Sequence, residues 1–435
     1  MAADAEPPFL IALNLTRRCN LGCEHCYLDA RILKRGDVDE LSTASVRKVL
    51  DDIAALSPGC MVVLTGGEPL LRPDLDDIAR HAAGLGLMVV VGTNGILLDR
   101  ARVRRLREAG VAGLGLSLDS LDPEVHDAFR GRRGAWQKTM AAIDACRAEK
   151  LTYQIHFTVT DDTAHELDAM IAFARASDAM VLNVFFLVCT GRGERVTNIS
   201  RDTYERVLRQ VAKAAHDEKR LMIRAKCAPH FKRMAFELDP DWPITTAHGY
   251  EAGGCLAGRR YARVTPEGDL TACPYIETPV GSVLDEGIAK LWHDAPMFKA
   301  LRQPQLEGTC GACEYRRICG GCRARPLARD GNLMGEDFLC AYEPAGGATI
   351  EHITPGAGRI TWTSEAETRL ARVPTFVRQM VARRVEDHVR SGGRDVVEAG
   401  DITGLARARF AGGPPPGFQM FRTGRKRSGK SRRRR

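Results

Sequence analysis

Through the first 190 residues the apolar positions follow two alternating patterns. Short, almost unbroken runs occupy Phe9 to Thr16 (FLIALNLT), Met61 to Leu64, Leu87 to Thr93, Leu114 to Leu118, Tyr153 to Thr160 and Met180 to Val188. Between them lie stretches in which apolar residues recur every third or fourth place: Ser42 to Leu56, Leu75 to Gly84, Asp99 to Ala109, Ala135 to Glu149 and His165 to Ala176. The first pattern predicts strands covered on both faces and the second predicts amphipathic helices. Their regular alternation predicts a parallel sheet covered by helices. After a Gly/Pro-marked linker (344–359) the helical spacing returns, with Leu370, Val373, Phe376, Val377, Met380, Val381 and Val385 three or four apart.

A chain of 435 residues has room for two or three modules with ample core. The most apolar stretch, Met180 to Val188, is nine residues long and carries Asn183, so no membrane span is expected. The N-terminal MAADAEPP has no basic region followed by an apolar one, so no secretory signal is expected. The net charge of +8 is local, because Arg422 to Arg435 holds nine Lys or Arg and no acid. Without that tail the basic and acidic residues balance, and residues 411–435 are expected to be disordered. Fourteen cysteines in such a chain point to metal or redox chemistry in a reducing cytoplasm rather than to disulfides.

Three of those cysteines form Cys19-Asn-Leu-Gly-Cys23-Glu-His-Cys26, just after the first strand. Three thiolates on one loop suit three corners of a [4Fe-4S] cluster, leaving one iron open; a zinc knuckle is the plainer alternative. The second strand ends in Gly66-Gly67-Glu68-Pro69, which by itself is a tight turn before a helix. Together, and in this order, the two motifs resemble the radical S-adenosylmethionine (SAM) enzymes. The resemblance implies a partial (β/α)6 TIM-type barrel over residues 1–200. In it Cys19, Cys23 and Cys26 ligate the cluster, and the open iron chelates SAM, which is cleaved reductively to a 5'-deoxyadenosyl radical. Glycines at Gly66 and Gly67 permit a close ligand approach, and Glu68 is a suitable acceptor for the SAM ammonium. Strand ends of such barrels carry the reactive groups, which places Thr93, Asn94, Ser117 and Asp119 beside SAM; ordinary turn residues are the plainer reading of each.

Eight further cysteines, Cys227, Cys255, Cys273, Cys310, Cys313, Cys319, Cys322 and Cys340, lie in residues 201–343. Two structural zincs would meet that count. The C-x2-C-x5-C-x2-C-x17-C spacing from Cys310 resembles the SPASM extension, which holds auxiliary [4Fe-4S] clusters. That resemblance gives Cys310, Cys313, Cys319 and Cys340 to one cluster and Cys255, Cys273 and Cys322 to the other. The cysteine usual shortly after the first is missing here, and Cys227 is the spare candidate; an open coordination site is the alternative. Cys60, Cys146 and Cys189 read as buried apolar residues.

The segments 185–193, 226–233 and 313–325 are similar to the haem synthases of the siroheme-dependent pathway, across residues 9–343. Those enzymes oxidatively decarboxylate propionates of iron-coproporphyrin III. A tetrapyrrole substrate and a low-potential donor such as flavodoxin or ferredoxin are what this resemblance implies. Arg192, Lys226, Lys232, Arg233, Arg323 and Arg325 in these segments could pair with porphyrin carboxylates or be solvated surface charges. His230 could ligate iron, move a proton or be structural. The W-x-x-E-A and V-P-x-F-V-R features of residues 360–410 resemble the small helical domain of light-independent protochlorophyllide reductase, another tetrapyrrole enzyme. The alternatives are a SPASM maturase acting on a peptide or another cofactor, and a zinc-ribbon nucleic-acid binder using the basic tail. The start of the barrel near Phe9 argues against a leader-peptide-binding domain, and metal content separates the nucleic-acid reading from the rest.

Overall fold

Every one of the six apolar runs is a strand of one sheet, and the helices between them lie where three-to-four spacing places them. A computed structural model describes residues 6–30, 39–188, 190–195, 199–218, 220–240, 242, 244 and 254–350. In the C-terminal stretch it describes 360–371, 373, 381, 382, 385, 386, 388, 389 and 394–409. The expectations for Cys189, Phe376, Val377, Met380 and the tail lie outside the described residues.

The chain runs β1 (Leu10–Asn14), α1 (Thr43–Leu56), β2 (Met61–Thr65), α2 (Leu75–Gly84), β3 (Met88–Thr93), α3 (Arg100–Glu108) and β4 (Gly113–Ser117). It continues α4 (Pro123–Arg130), α5 (Ala135–Glu149), β5 (Tyr153–Val159), α6 (Leu167–Ala176) and β6 (Val181–Phe186). Helix α1 forms for local reasons: Ser42 caps its N-terminus by accepting from Ser45 N at 3.1 Å, and Val46, Val49, Leu50 and Ile53 form its buried stripe.

Two more parallel strands extend the six. After α7 (Arg201–Asp217), β7 (Met222–Lys226) pairs with β6; after α8 (Phe231–Leu238), β8 (Tyr261–Val264) pairs with the free edge of β1. Antiparallel β9 (Asp269–Thr271) and β10 (Gly281–Ser282) complete the order β10-β9-β8-β1-β2-β3-β4-β5-β6-β7. Eight consecutive parallel strands therefore form a partial barrel, open between β7 and the β8–β10 edge among the described residues. The sheet crosses the expected boundary at residue 200, and one apolar core joins Ile11 and Leu13 of β1 to Trp292 and Phe298 near residue 300.

Strand side chains divide by parity. Tyr153, Ile155, Phe157 and Val159 of β5 face the helices, whereas Gln154, His156 and Thr158 face the trough inside the sheet. Leu10, Met61 and Val90 fill the bottom of that trough. The C-terminal stretch has its own small core of Ala366, Val385, Val389, Val397 and Ile402, with a parallel strand pair β11 (Thr361–Trp362) and β12 (Val396–Val397). Among the described residues no helix is long and apolar enough to cross a membrane.

Candidate functional site

The loop bearing Cys19, Cys23 and Cys26 leaves the C-terminal end of β1 and is clamped by three segments distant in sequence. After β2, Gly67 N donates to Thr16 O at 2.7 Å and Glu68 N to Arg18 O at 2.9 Å. A Cβ on Gly66, whose φ is +133°, would stand 2.5 Å from Thr16 O, and one on Gly67 would overlap the Arg18 carbonyl. Both glycines are thus needed for the approach of chain to chain. At the C-terminal end of α4, Arg132 Nη1 donates to Asn20 O at 3.1 Å and Glu24 N to Phe129 O at 3.2 Å. Gly131, at φ +65°, leaves no room for a Cβ beside Gly22 O. After β6, Arg192 donates from Nε to Cys23 O at 3.0 Å and from Nη1 to Ala30 O at 3.0 Å, and pairs with Asp29 at 2.7 Å.

Glu68 is fully buried. Its Oε1 accepts from Leu70 N at 3.0 Å and from the Thr93 hydroxyl at 2.8 Å, and its Oε2 from Asn94 N at 2.9 Å. Burial pushes its carboxyl up to about 7 against those donors. Asn94 Nδ2 donates to Asn20 Oδ1 at 2.7 Å, joining the end of β3 to the cysteine loop. Asp119 is buried and pairs with Arg130 at 2.5 Å, while Arg130 Nη1 also lies 3.7 Å from Cys23 Sγ. Burial alone would raise the Asp119 carboxyl, but Arg130, His25 and His126 hold it below the usual carboxylate range. Asp119 N donates to His126 Nδ1 at 3.2 Å, and burial pushes that imidazole down to about 4. Ser117 is half-buried at the end of β4, opposite His156 of β5. Thr93, Asn94, Ser117 and Asp119 therefore do gather at the strand ends around the loop.

Sequence reading missed Arg130, Arg132 and His126, all on or just after α4. The helix carried its own signals: Asp122 caps it by accepting from Glu124 N at 2.8 Å, Pro123 opens it, and left-handed Gly131 ends it.

The eight later cysteines separate into two groups. Cys310, Cys313, Cys319 and Cys340 line one hollow, partly open to solvent, with His230, Arg233 and Tyr342. Asp337 N donates to Cys310 Sγ at 3.5 Å, and a Cβ on Gly321 would stand 3.1 Å from the same sulfur. Among the described residues no three Cys, His, Asp or Glu side chains close on a single-ion position. Four thiols around one hollow are the ligand set that a [4Fe-4S] cubane takes. The second group is Cys227, Cys255, Cys273 and Cys322. Burial raises the Cys273 thiol, and Cys255, Cys227 and Cys322 raise it further, which sets the four as neighbours. Cys227, at φ +58°, directly follows β7, and Cys273 lies two residues after the end of β9. This group therefore sits at the open seam of the barrel.

Asp337 ties the groups together. Its Oδ2 accepts from Cys322 N at 2.7 Å and from Arg325 Nη1 at 2.8 Å, and Arg325 Nη2 donates to Cys227 O at 2.5 Å. Cys60 and Cys146 are buried as expected.

The cations that could pair with porphyrin carboxylates or be solvated surface charges are mostly committed inside the protein. Arg233 bridges Glu205 and Glu237 at 2.8 and 2.9 Å, and Lys232 donates to Ile244 O. Arg323 donates to Gly335 O at 2.8 Å, Arg325 serves Asp337, and Arg192 serves the cysteine loop. His230 is buried, with Nδ1 2.7 Å from the Tyr204 hydroxyl and Nε2 3.6 Å from Asp337, a structural placement.

Comparison with known proteins agrees with this layout. The radical SAM superfamily model matches residues 13–174, an iron-sulfur cluster-binding domain model (SPASM) matches 255–314, and a proto-chlorophyllide reductase 57 kD subunit model matches 362–403. The AdoMet-dependent heme synthase of Methanosarcina barkeri is 37% identical over 79% of this chain and 99% of its own length. The pre-heme d1 synthase of Dinoroseobacter shibae is 30% identical over 81% and 91%. In fold the chain is similar to SuiB of Streptococcus suis bound to S-adenosylmethionine, at TM-score 0.63 and 17% identity, covering 78% of each chain. [4Fe-4S] clusters and SAM are the cofactors these domains imply. With its three-cysteine loop, its parallel partial barrel and its cysteine-rich extension, the chain belongs to the radical SAM superfamily, in the SPASM-bearing group that includes the AdoMet-dependent heme synthases.

Proposed function

We propose that this protein converts propionate side chains of an iron porphyrin to vinyl groups by oxidative decarboxylation. The observation that carries the proposal is the 37% identity to a heme synthase across 99% of that relative. Removal of a β-hydrogen atom and loss of carbon dioxide leave one electron to discard for each vinyl formed. When bound, SAM with its cluster supplies the hydrogen-abstracting radical, and auxiliary clusters accept the leftover electron.

Cys19, Cys23 and Cys26 would hold the SAM-binding cluster, with Arg130 beside Cys23. Gly66 and Gly67 fix the loop against β2, while Glu68, Thr93, Asn94, Ser117 and Asp119 surround the SAM position. Glu68 keeps lone pairs beyond its three protein donors, enough to accept from an ammonium. Cys310, Cys313, Cys319 and Cys340 would hold one auxiliary cluster, and Cys227 completes the other with Cys255, Cys273 and Cys322. Residues 1–200, 201–343 and 360–410 then divide into radical source, electron acceptor and tetrapyrrole-facing helical unit. A low-potential donor such as flavodoxin or ferredoxin and a cytoplasmic setting accompany this reading.

The test supplies the reduced, cluster-loaded protein with SAM and iron-coproporphyrin III. The porphyrin should lose carbon dioxide and gain vinyl groups, with 5'-deoxyadenosine formed in step. An unchanged tetra-acid beside ordinary SAM cleavage would reject the porphyrin and move the weight to a peptide or another cofactor.

A further inference from the structure

The trough inside the barrel has a polar wall that, apart from Ser117, the site described above does not use. His156 on β5 stands in register with Ser117 on β4 and Asn183 on β6, Asn183 with Arg224 on β7, and Phe185 with Lys226. In parallel strands, residues in register share a face, so these side chains line the trough above its apolar floor of Leu10, Met61 and Val90.

The wall is built to a shape. A Cβ on Gly115 would come 2.6 Å from the His156 ring, so the imidazole lies in the space a β4 side chain would take. Phe185 packs against the same ring at 5.2 Å between centroids. Asn183, 2% exposed, donates from Nδ2 to Gln154 Oε1 at 2.7 Å, and its Oδ1 is buried without a hydrogen-bond partner. Turning both amides over would leave Nδ2 as the orphan instead, so either orientation leaves one amide group for a ligand. A buried orphan of this kind costs roughly 1–3 kcal/mol when it stays unmet.

The charges facing His156 are Lys226 and Arg130, which favour its neutral form, and Asp119, which opposes them. Burial is the largest influence and takes the imidazole down to about 4, so at neutral pH it offers a single N–H. Arg130 reaches Cys23 and Lys226 precedes Cys227. The wall thus spans the interval between the cysteine loop and the seam.

We infer that this wall seats a carboxylate of the substrate, with three donors: the Lys226 ammonium, the His156 N–H and Asn183 Nδ2, the last with both amides turned over so that Gln154 donates to Asn183 Oδ1. The inference rests on the proposed function and adds which residues orient the reacting side chain. The Lys226 ammonium and two neutral donors suit a planar carboxylate, the Arg224 guanidinium in register with Asn183 adds to the positive field of the wall, and its place between radical source and electron acceptor is where a group losing carbon dioxide and an electron must lie. His156, Asn183 and Lys226 act as positioning residues.

The experiment measures dissociation constants for iron-coproporphyrin III and for its tetramethyl ester, by the shift of the Soret band on binding to the cluster-loaded protein. Lys226→Gln and Asn183→Asp should each weaken the tetra-acid by at least about tenfold and leave the ester within about twofold, and Lys226→Arg should restore most of the loss. Circular dichroism and iron content verify that each variant is folded and loaded. Equal weakening of acid and ester, or none for Asn183→Asp, overturns the carboxylate seat while leaving the porphyrin reading intact. Failure of the unaltered protein to bind or process the tetra-acid overturns the porphyrin reading and the seat with it.

Discussion

The cysteine loop and the seam hold their thiols in opposite ways. Cys19, Cys23 and Cys26 are adjacent in sequence, so spacing alone brings them together, and the fold's task is to hold the loop still. Three remote segments do this, at Gly67–Glu68, Phe129–Arg132 and Gly191–Arg192. The seam group has no such locality: Cys227, Cys255, Cys273 and Cys322 are brought together only when β7 and the β8–β10 edge are both in place. A local set depends on its clamps, whereas a distributed set depends on the whole sheet.

The clamps can be broken one atom at a time. Gly67→Ala drives a methyl into the Arg18 carbonyl, whereas a Cβ on Gly22, inside the loop itself, meets nothing within 4 Å. We expect Gly67→Ala to abolish SAM cleavage and to remove about four irons per chain, one cluster's worth. Gly22→Ala should keep both. Iron analysis with 5'-deoxyadenosine chromatography measures this, and equal behaviour of the two variants would show that the β2 clamp does not set the loop.

A smaller effect is expected at Arg130, whose loss leaves the buried Asp119 carboxylate with the Thr158 N–H at 3.1 Å but without its ion-pair partner. Arg130→Met should cost roughly 3–5 kcal/mol of stability, with part recovered in the double variant Arg130→Met/Asp119→Asn. Denaturant unfolding of the three proteins reads the difference, and full additivity would mean that the pair does not interact.

The smallest effect concerns acid. His126 and His230 are buried and neutral, both held down to about 4 chiefly by burial. Because the unfolded chain binds these protons at ordinary histidine pH values, stability is complete above about 6.5 and falls as pH drops from there through about 4. His126→Asn should flatten that limb without moving the plateau at pH 7.5 by more than the loss of the Asp119 contact. A melting temperature series across pH 4–8 checks it, and an unchanged limb would mean that His126 is protonated in the fold.

The same contrast explains what could be read in the chain. Strands β1 to β6 were legible because both faces are covered and the apolar runs are nearly unbroken. β7, Met-Ile-Arg-Ala-Lys, and β8, Tyr-Ala-Arg-Val, are only five and four residues long and carry Arg or Lys in place of the apolar run, so their short alternation does not stand out from the surrounding sequence. The cysteine loop was legible from spacing; membership of Cys227 in the seam group needed the strand pairing. The cations misled for a physical reason: an Arg in a motif looks the same whether it awaits a ligand or, like Arg233, meets Glu205 and Glu237 from its own and a neighbouring helix.

The central claim is that the loop and the later cysteines form separate centres, with the loop alone responsible for SAM cleavage. Iron content and 5'-deoxyadenosine formation, compared in the unaltered protein and in the Cys19→Ala/Cys23→Ala/Cys26→Ala variant, test it most directly. Three clusters predict about twelve irons per chain falling to about eight, with SAM cleavage lost and the remaining iron-sulfur absorbance kept. Persistent 5'-deoxyadenosine in the triple variant, or loss of all the iron at once, would contradict the account.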